Sequence, residues 1–267
     1  MKIKLLALDL DDTLLREDLS IAEEDVRTLR AAEDLGVHIV LASGRTPEGM
    51  TRYLNLLGMD KKEGYLISYN GGQILRSDTL DVEWSRSLDP MLSREIYQDC
   101  LNWNIPIQCY REGTILTSRE NYFSEMDTKL TGMPRKEVSP EEFFLQEPIK
   151  MVIPLEPEAL KKVADKLNEK YGSRANMFIS KPYYFEILSP EADKGLALKH
   201  LAAQHGVTRD EVMAMGDAMN DVGMLRWAGI SVAPANAREE ILAMVNWVTT
   251  RTHNEGAVTE AIHRYIL

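Results

Sequence analysis

The chain has 267 residues, of which 44% are hydrophobic and 27% charged, with a formal net charge of −11. That length suits one large domain or two unequal ones with a substantial core. The acidic balance argues against a general binder of nucleic-acid backbones, which needs a basic face, but it leaves room for a small anionic substrate wherever a metal ion reverses the local charge.

Ile3, Leu5, Leu6, Ala7 and Leu8 form an apolar run that reads as a buried strand, parallel and covered on both faces. Asp9-Leu10-Asp11-Asp12-Thr13 follows directly. Charges placed there stand at the strand's carboxyl end, where open α/β sheets bind ligands. Residues two apart in an extended segment point to the same side. Asp9 and Asp11 are therefore expected to converge on one reacting centre, if the strand conformation persists that far. An acidic turn that merely ends the strand fits the pentapeptide equally well.

Val26, Leu29 and Ala32 then share a helical face, Gly36 ends that helix, and residues 37–41 read as a second strand. Ser43-Gly44-Arg45 comes next. A hydroxyl, an unhindered backbone N–H and a nearby helix start suit an anion, although an ordinary strand-to-helix turn has the same look. Pro47 suits the first turn of a helix reaching about Leu57. Tyr65–Ser68 is a third strand, stopping at Asn70-Gly71-Gly72, which either faces the substrate or simply turns the chain. This βαβαβ rhythm implies a doubly wound, parallel, Rossmann-like sheet in an α/β protein.

The rhythm changes near residue 80. A hairpin-like segment spans 73–84. A helix over 90–103, strands at 105–110 and Thr114–Thr117, and a polar stretch with several prolines follow. A strand at 149–154, a helical spacing of Leu160, Val163, Ala164 and Leu167, and strands at 177–180 and 183–188 complete the segment. Residues 84–188 read as an inserted α+β domain, with 1–83 and 189–267 forming the core. Cys100 and Cys109 fit no disulfide framework or metal-ligand spacing and are expected to be buried or half-buried structural thiols. Tyr183, Tyr184 and Arg45 carry no firm assignment.

After the insertion, Asp193-Lys194-Gly195 opens a helix marked by Leu198, Leu201, Ala202 and His205. Asp193 suits an N-cap. Lys194 is misplaced for the helix dipole, which favours cations at the C-terminus. Either it faces solvent or it neutralises a phosphate. A strand at 211–215 delivers Gly216-Asp217-Ala218-Met219-Asn220-Asp221, an acidic turn at a second strand end. Asp217 and Asp221, four apart, share a face if a helix begins there. Ile230–Ala233 is one more strand, and helices over 237–244 and 256–265 close the chain.

Asp9, Asp11, Asp217 and Asp221 would crowd one crevice, where like charges raise each other's pKa. A hard divalent cation relieves this, and oxygen-only ligands at few positions suit Mg²⁺. Ser43, Gly44, Lys194 and Asn220 would hold a phosphoryl group, with Asp9 in line to attack.

The ordered set DLDDT, ASGR, DKG and GDAMND resembles the haloacid-dehalogenase (HAD) hydrolase superfamily across essentially the whole chain. The insertion between the second and third motifs resembles the Cof-type capped phosphatases. The resemblance implies that Asp9 is the nucleophile and forms an aspartyl-phosphate, while Asp11 protonates the leaving alcohol and then activates water. It implies Mg²⁺ on the Asp9 carboxylate, the Asp11 carbonyl and the Asp217 carboxylate, with Asp221 acting through water or one shell out. Ser43, Gly44, Lys194, Asn220 and the Leu10 N–H would contact phosphate, and the inserted domain would close over the core to read the leaving group. Asp12 departs from the subfamily, which usually has Gly there. Ser43 stands for the commoner Thr.

The expected activity is hydrolysis of small phosphorylated metabolites, such as sugar phosphates or cofactors like pyridoxal phosphate or FMN. A phosphomutase on the same scaffold and a non-catalytic metabolite-binding regulator are the rivals. No apolar stretch approaches the roughly 20 residues of a membrane span, and Asp9 interrupts the N-terminal run too early for a signal peptide. A cytoplasmic protein is expected, with no membrane or nucleic-acid partner.

Overall fold

In the computed structural model, which describes residues 2–267, the first apolar run becomes β1 (Leu5–Asp9), buried throughout. The chain continues through α1 (Glu23–Asp34), β2 (His38–Ala42), α2 (Pro47–Leu57), β3 (Tyr65–Ser68), β4 (Gln73–Arg76) and β5 (Val82–Ser85). Next come α3 (Pro90–Asn102), β6 (Gln108–Arg111), β7 (Thr114–Thr117), α4 (Tyr122–Thr131), β8 (Arg135–Glu137) and α5 (Pro140–Phe143). β9 (Lys150–Pro154), α6 (Pro157–Tyr171), β10 (Asn176–Lys181) and β11 (Tyr184–Leu188) follow. The chain closes with α7 (Lys194–Gln204), β12 (Val212–Met215), α8 (Val222–Trp227), β13 (Ile230–Ala233), α9 (Glu239–Leu242), β14 (Trp247–Val248) and α10 (Ala257–Tyr265). Two compact units result. One is Ser85–Ala192, and the other joins Asp193–Leu267 to the residues up to Trp84.

The larger unit holds an eight-stranded sheet in the order β14-β13-β12-β1-β2-β3-β4-β5. β1 pairs in parallel with β12 on one side and β2 on the other. Pairing stays parallel from β14 to β3 and turns antiparallel between β3 and β4. The chain first builds outward from β1 to β5, then returns to the opposite side of β1. Such a reversal leaves a crevice at the carboxyl ends of the strands.

Side-chain alternation along β1 feeds two cores. Leu6 and Leu8 pack with Leu29, Tyr53 and Ile262 from α1, α2 and α10. Leu5 and Ala7 pack with Leu198, Leu201, Met224 and Ile241 from α7, α8 and α9. Burying each such leucine contributes about 1.5–3 kcal/mol, so a one-residue slip of β1 would be costly on both faces.

The smaller unit is a six-stranded sheet, β10-β11-β9-β6-β7-β8, antiparallel except between β7 and β8. Ile96 and Cys100 of α3 and Leu160 and Leu167 of α6 pack against Cys109, Met151, Phe185 and Ile187. Burial pushes both cysteine thiols up to about 12, which makes them unreactive.

Several expectations need correction. The polar stretch after Thr117 contains helix α4, started by a reciprocal Asn121–Ser124 capping pair and stopped by left-handed Gly132. Its polar composition hid a helix whose stability lies in its ends. The strand read over 105–110 begins only at Gln108, because Ile105 N still bonds to the end of α3 at Cys100 O. The closing helix starts at Ala257, since Gly256 is left-handed at φ +83°.

Helices α7 and α8 touch through glycine. A Cβ on Gly195 would lie 2.2 Å from the Gly223 carbonyl carbon. Gly195→Ala should therefore force the two helices apart and destabilise the fold by about 1–3 kcal/mol or more, read as a lowered midpoint in thermal unfolding.

Candidate active site

Leu8 pairs with Met215 across β1 and β12, so Asp9 and Gly216 leave the sheet side by side. The N-terminus of α7 supplies the third component. Asp193 caps it by accepting from Leu196 N at 2.9 Å. Lys194, wholly buried, turns inward and donates to Asp9 Oδ1 at 2.5 Å and Asp221 Oδ1 at 2.6 Å. Its dipole misplacement is thus overridden by two carboxylates at contact distance, each a charge-assisted bond. Two of the ammonium's three N–H donors thus go to protein carboxylates.

Asp221 is fully engaged. Its other oxygen accepts from Asp217 N and Ala218 N, both at 3.0 Å. The expected shared helical face of Asp217 and Asp221 does not form. A single tight turn over Met219–Asp221 precedes α8, and Asp221 bends back over the loop. Gly216 permits this, since a Cβ there would lie 2.6 Å from Asp221 Cβ. Asp217 takes a hydrogen bond from Thr13 Oγ1 at 3.1 Å, and its carbonyl accepts from Arg238 N at 3.0 Å.

Carboxylate oxygens of Asp9, Asp217 and Asp221 lie within 4.8 Å of one another. Burial, and after it the Asp221 charge, pushes the Asp9 carboxyl well above its ordinary range, with Lys194 pulling it back. Burial, again with Asp221 next, raises Asp217 to about 6. Burial alone would lower Lys194, but the Asp221 and Asp9 charges outweigh it and keep the group raised and cationic. Three carboxylates against one ammonium leave a negative excess when all are ionised. This all-oxygen donor set fits a hard divalent cation.

Asp11 is not part of that cluster. The extended run stops at Asp9, and Leu10 O then accepts from Leu14 N at 3.1 Å and Leu15 N at 2.8 Å in a tight turn. Strand alternation therefore ends at Leu10 and does not by itself set the direction of the Asp11 side chain. The Asp11 carboxylate instead takes two bonds from Arg45, Nε at 3.0 Å and Nη2 at 2.6 Å. Asp12 has φ +59°. That left-handed backbone explains the Gly usual in the resembled subfamily, and Asp is among the residues that tolerate it. Its carbonyl accepts from Asn236 Nδ2 at 2.8 Å.

Ser43 is buried, and its Oγ accepts from Arg45 N at 3.2 Å. A Cβ on Gly44 would meet the Asn70 amide at 2.9 Å. Asn70 N donates to Ser43 O at 2.9 Å, and Asn70 Oδ1 accepts from exposed Asn220 at 3.2 Å. Asn70 thus joins the Ser43–Gly44 turn to Asn220, a linking role the sequence left undecided. Tyr69 and Asn70 both have positive φ, +51° and +54°. Left-handed backbone at two consecutive non-glycine residues is costly and persists only where surrounding contacts hold it. The available signal was position: Asn70 follows β3 at the same sheet edge as the other motifs.

The fold and the oxygen-rich crevice define a doubly wound α/β core with a candidate cation site at its strand ends, and comparison with known proteins gives its family. The family profile described as haloacid dehalogenase-like hydrolase matches residues 6–262. The chain belongs to this family and is an enzyme of its phosphatase branch. The protein named "Putative phosphatase YxeH" of Bacillus subtilis is 33% identical, covering 99% of this chain and 98% of that protein. The 5-amino-6-(5-phospho-D-ribitylamino)uracil phosphatase YcsE of the same organism is 27% identical over 99% of this chain and 96% of its own length. A crystal structure of a haloacid dehalogenase-like hydrolase from Bacteroides thetaiotaomicron superposes with a TM-score of 0.89 at 31% identity, covering 98% of this chain and 99% of that one. Among the described residues, no helix is long and apolar enough to cross a membrane.

Lys194→Met should leave buried carboxylates facing one another and cost about 3–5 kcal/mol in metal-free buffer, measured by denaturant unfolding. The raised Asp217 gives a second test. Between its ordinary value of 3.8 and the folded value of about 6, the folded state binds the extra proton. Its contribution to metal-free stability is full below the lower value and is lost as pH rises through the upper one. Asp217→Asn should flatten that slope in unfolding curves taken across this range.

Proposed function

We propose that the protein is a Mg²⁺-dependent phosphatase of small phosphorylated metabolites, working through an aspartyl-phosphate on Asp9. The observation that carries this reading is the Asp9 carboxylate at the end of β1, held at one oxygen by Lys194 and flanked by Asp217 and Asp221. An acid whose charge is offset on one side by a fixed ammonium is a directed nucleophile.

In the first step an Asp9 oxygen bonds to phosphorus as the ester P–O bond breaks, and Asp11 gives its proton to the departing alcohol. In the second, water attacks phosphorus, Asp11 takes the water's proton, and the Asp9 acyl-phosphate bond breaks to release phosphate. The Ser43 hydroxyl, the Gly44 N–H, the Leu10 N–H, Lys194 and Asn220 would receive the phosphoryl oxygens. The Asp9 and Asp217 carboxylates and the Asp11 carbonyl would hold Mg²⁺, with Asp221 bracing them through the Asp217 and Ala218 amides. The bound ion supplies positive charge that offsets the phosphoryl oxygens and the carboxylate excess.

The substrate class follows from chemistry and kinship. The net charge of −11 argues against a polyanionic polymer, and the relative YcsE is named for a phosphorylated ribitylamino-uracil. Sugar phosphates and phosphorylated cofactors such as pyridoxal phosphate or FMN are the substrates to test.

Phosphate release over a panel of such esters, with Mg²⁺ and with chelator, tests the reading. Turnover should require the metal. Asp9→Asn should lose at least about 10³-fold in kcat, and Asp11→Asn about 10²–10⁴-fold. Near-wild-type turnover by either variant would refute its role.

A further inference from the structure

Asp11 has a demanding task in this mechanism, and it sits in a tight turn after β1 whose backbone hydrogen bonds centre on Leu10 O. Its side chain is gripped from the turn after β2. Arg45 presents its planar fork so that Nε meets one Asp11 oxygen and Nη2 the other. Two parallel bonds fix direction as well as distance, which a single ammonium cannot do.

Arg45 is itself held at three points. Its N–H donates to Ser43 Oγ at 3.2 Å, and its carbonyl accepts from Tyr69 N at 3.0 Å. Its guanidinium carbon lies 5.6 Å from the ring centre of Tyr53, which is fully buried. The backbone that carries the Ser43–Gly44 turn therefore also fixes the group gripping Asp11.

Stability does not explain the pair. The Asp11 side chain is 49% exposed and that of Arg45 24%. An ion pair this open adds little to stability. What the geometry provides is register between an acid on one strand end and an anion cradle on the next.

We infer that Arg45 is the positioning residue for Asp11, setting the acid/base against the Ser43–Gly44 cradle. This rests on the acid/base reading of Asp11 above. Arg45 acts through Asp11, so its removal should slow the chemical steps without weakening substrate binding.

A double-mutant cycle on p-nitrophenyl phosphate hydrolysis with Mg²⁺ tests this. Arg45→Ala should lower kcat by about 10–100-fold, the scale of a misplaced catalytic group, with KM changed less than about threefold. In an Asp11→Asn background the same change should cost less than about threefold, because the group it positions is gone. Arg45→Lys, which keeps charge without the fork, should behave like Arg45→Ala. Added guanidinium ion should restore part of the Arg45→Ala rate and none of the double variant's. An equal loss in both backgrounds, a loss carried by KM, or full activity in Arg45→Lys would overturn the inference while leaving the acid/base role standing. Asp11→Asn at the wild-type rate would instead remove that role, and the positioning inference with it.

Discussion

The buried Lys194 ammonium between Asp9 and Asp221 is the contact on which the rest of the crevice depends. A charge taken out of water must find partners at contact distance, and an isolated one would be costly. Here both partners are themselves buried acids, so each needs the other. The arrangement draws together three remote stretches of chain: the end of β1, the start of α7 and the loop after β12. Their meeting requires close approach, which is why Gly195 lies against the Gly223 backbone and Gly216 against the Asp221 side chain. Side chains at any of these positions would separate the charges.

The same contact leaves the cluster short of positive charge, since one ammonium faces three carboxylates. Burial makes that shortage matter, because a low dielectric strengthens each repulsion. Burial first, and the Asp221 charge after it, raise both the Asp217 and the Asp9 carboxyls. A divalent cation would remove the repulsion and give the site positive charge to offer an anion. Around this centre the turns after β2 and β3 lock together. Asn70 crosses from Ser43 to Asn220, and Gly71 at φ +96° comes so close to Asp193 that a Cβ would lie 2.3 Å from its carbonyl carbon. The strained Tyr69–Asn70 turn is thus held by contacts on both sides.

Much of the architecture was legible from periodicity. The short apolar runs of β1, β3 and β13 are strands bounded by charge or glycine, and the helices α2 and α7 announce themselves by Pro47 and by the Asp193 cap. The sequence placed acidic motifs at strand ends of one sheet and Lys194 at a helix start, and in the structure Asp9, Asp217, Asp221 and Lys194 meet. What misled was extrapolating local geometry past an element's end. Strand alternation does not survive the turn at Leu10, so Asp11 points to Arg45. Helical spacing does not govern Asp217 and Asp221, because Asp221 instead binds the Asp217 and Ala218 amides. Helix α4 stayed hidden because its determinants are a capping pair and a terminal glycine, not an apolar stripe.

The sequence by itself determined which groups could do chemistry here and along which edge they would lie, because residue type and strand order are local and topological facts. Only the tertiary structure decided which carboxylate pairs with which cation. Lys194 is committed to Asp9 and Asp221, Arg45 grips Asp11, and Asn70 joins two turns. Those choices depend on how closely α7 can approach α8 and how sharply the chain turns after β1. Both are set by packing between residues distant in sequence, and no spacing along the chain encodes them.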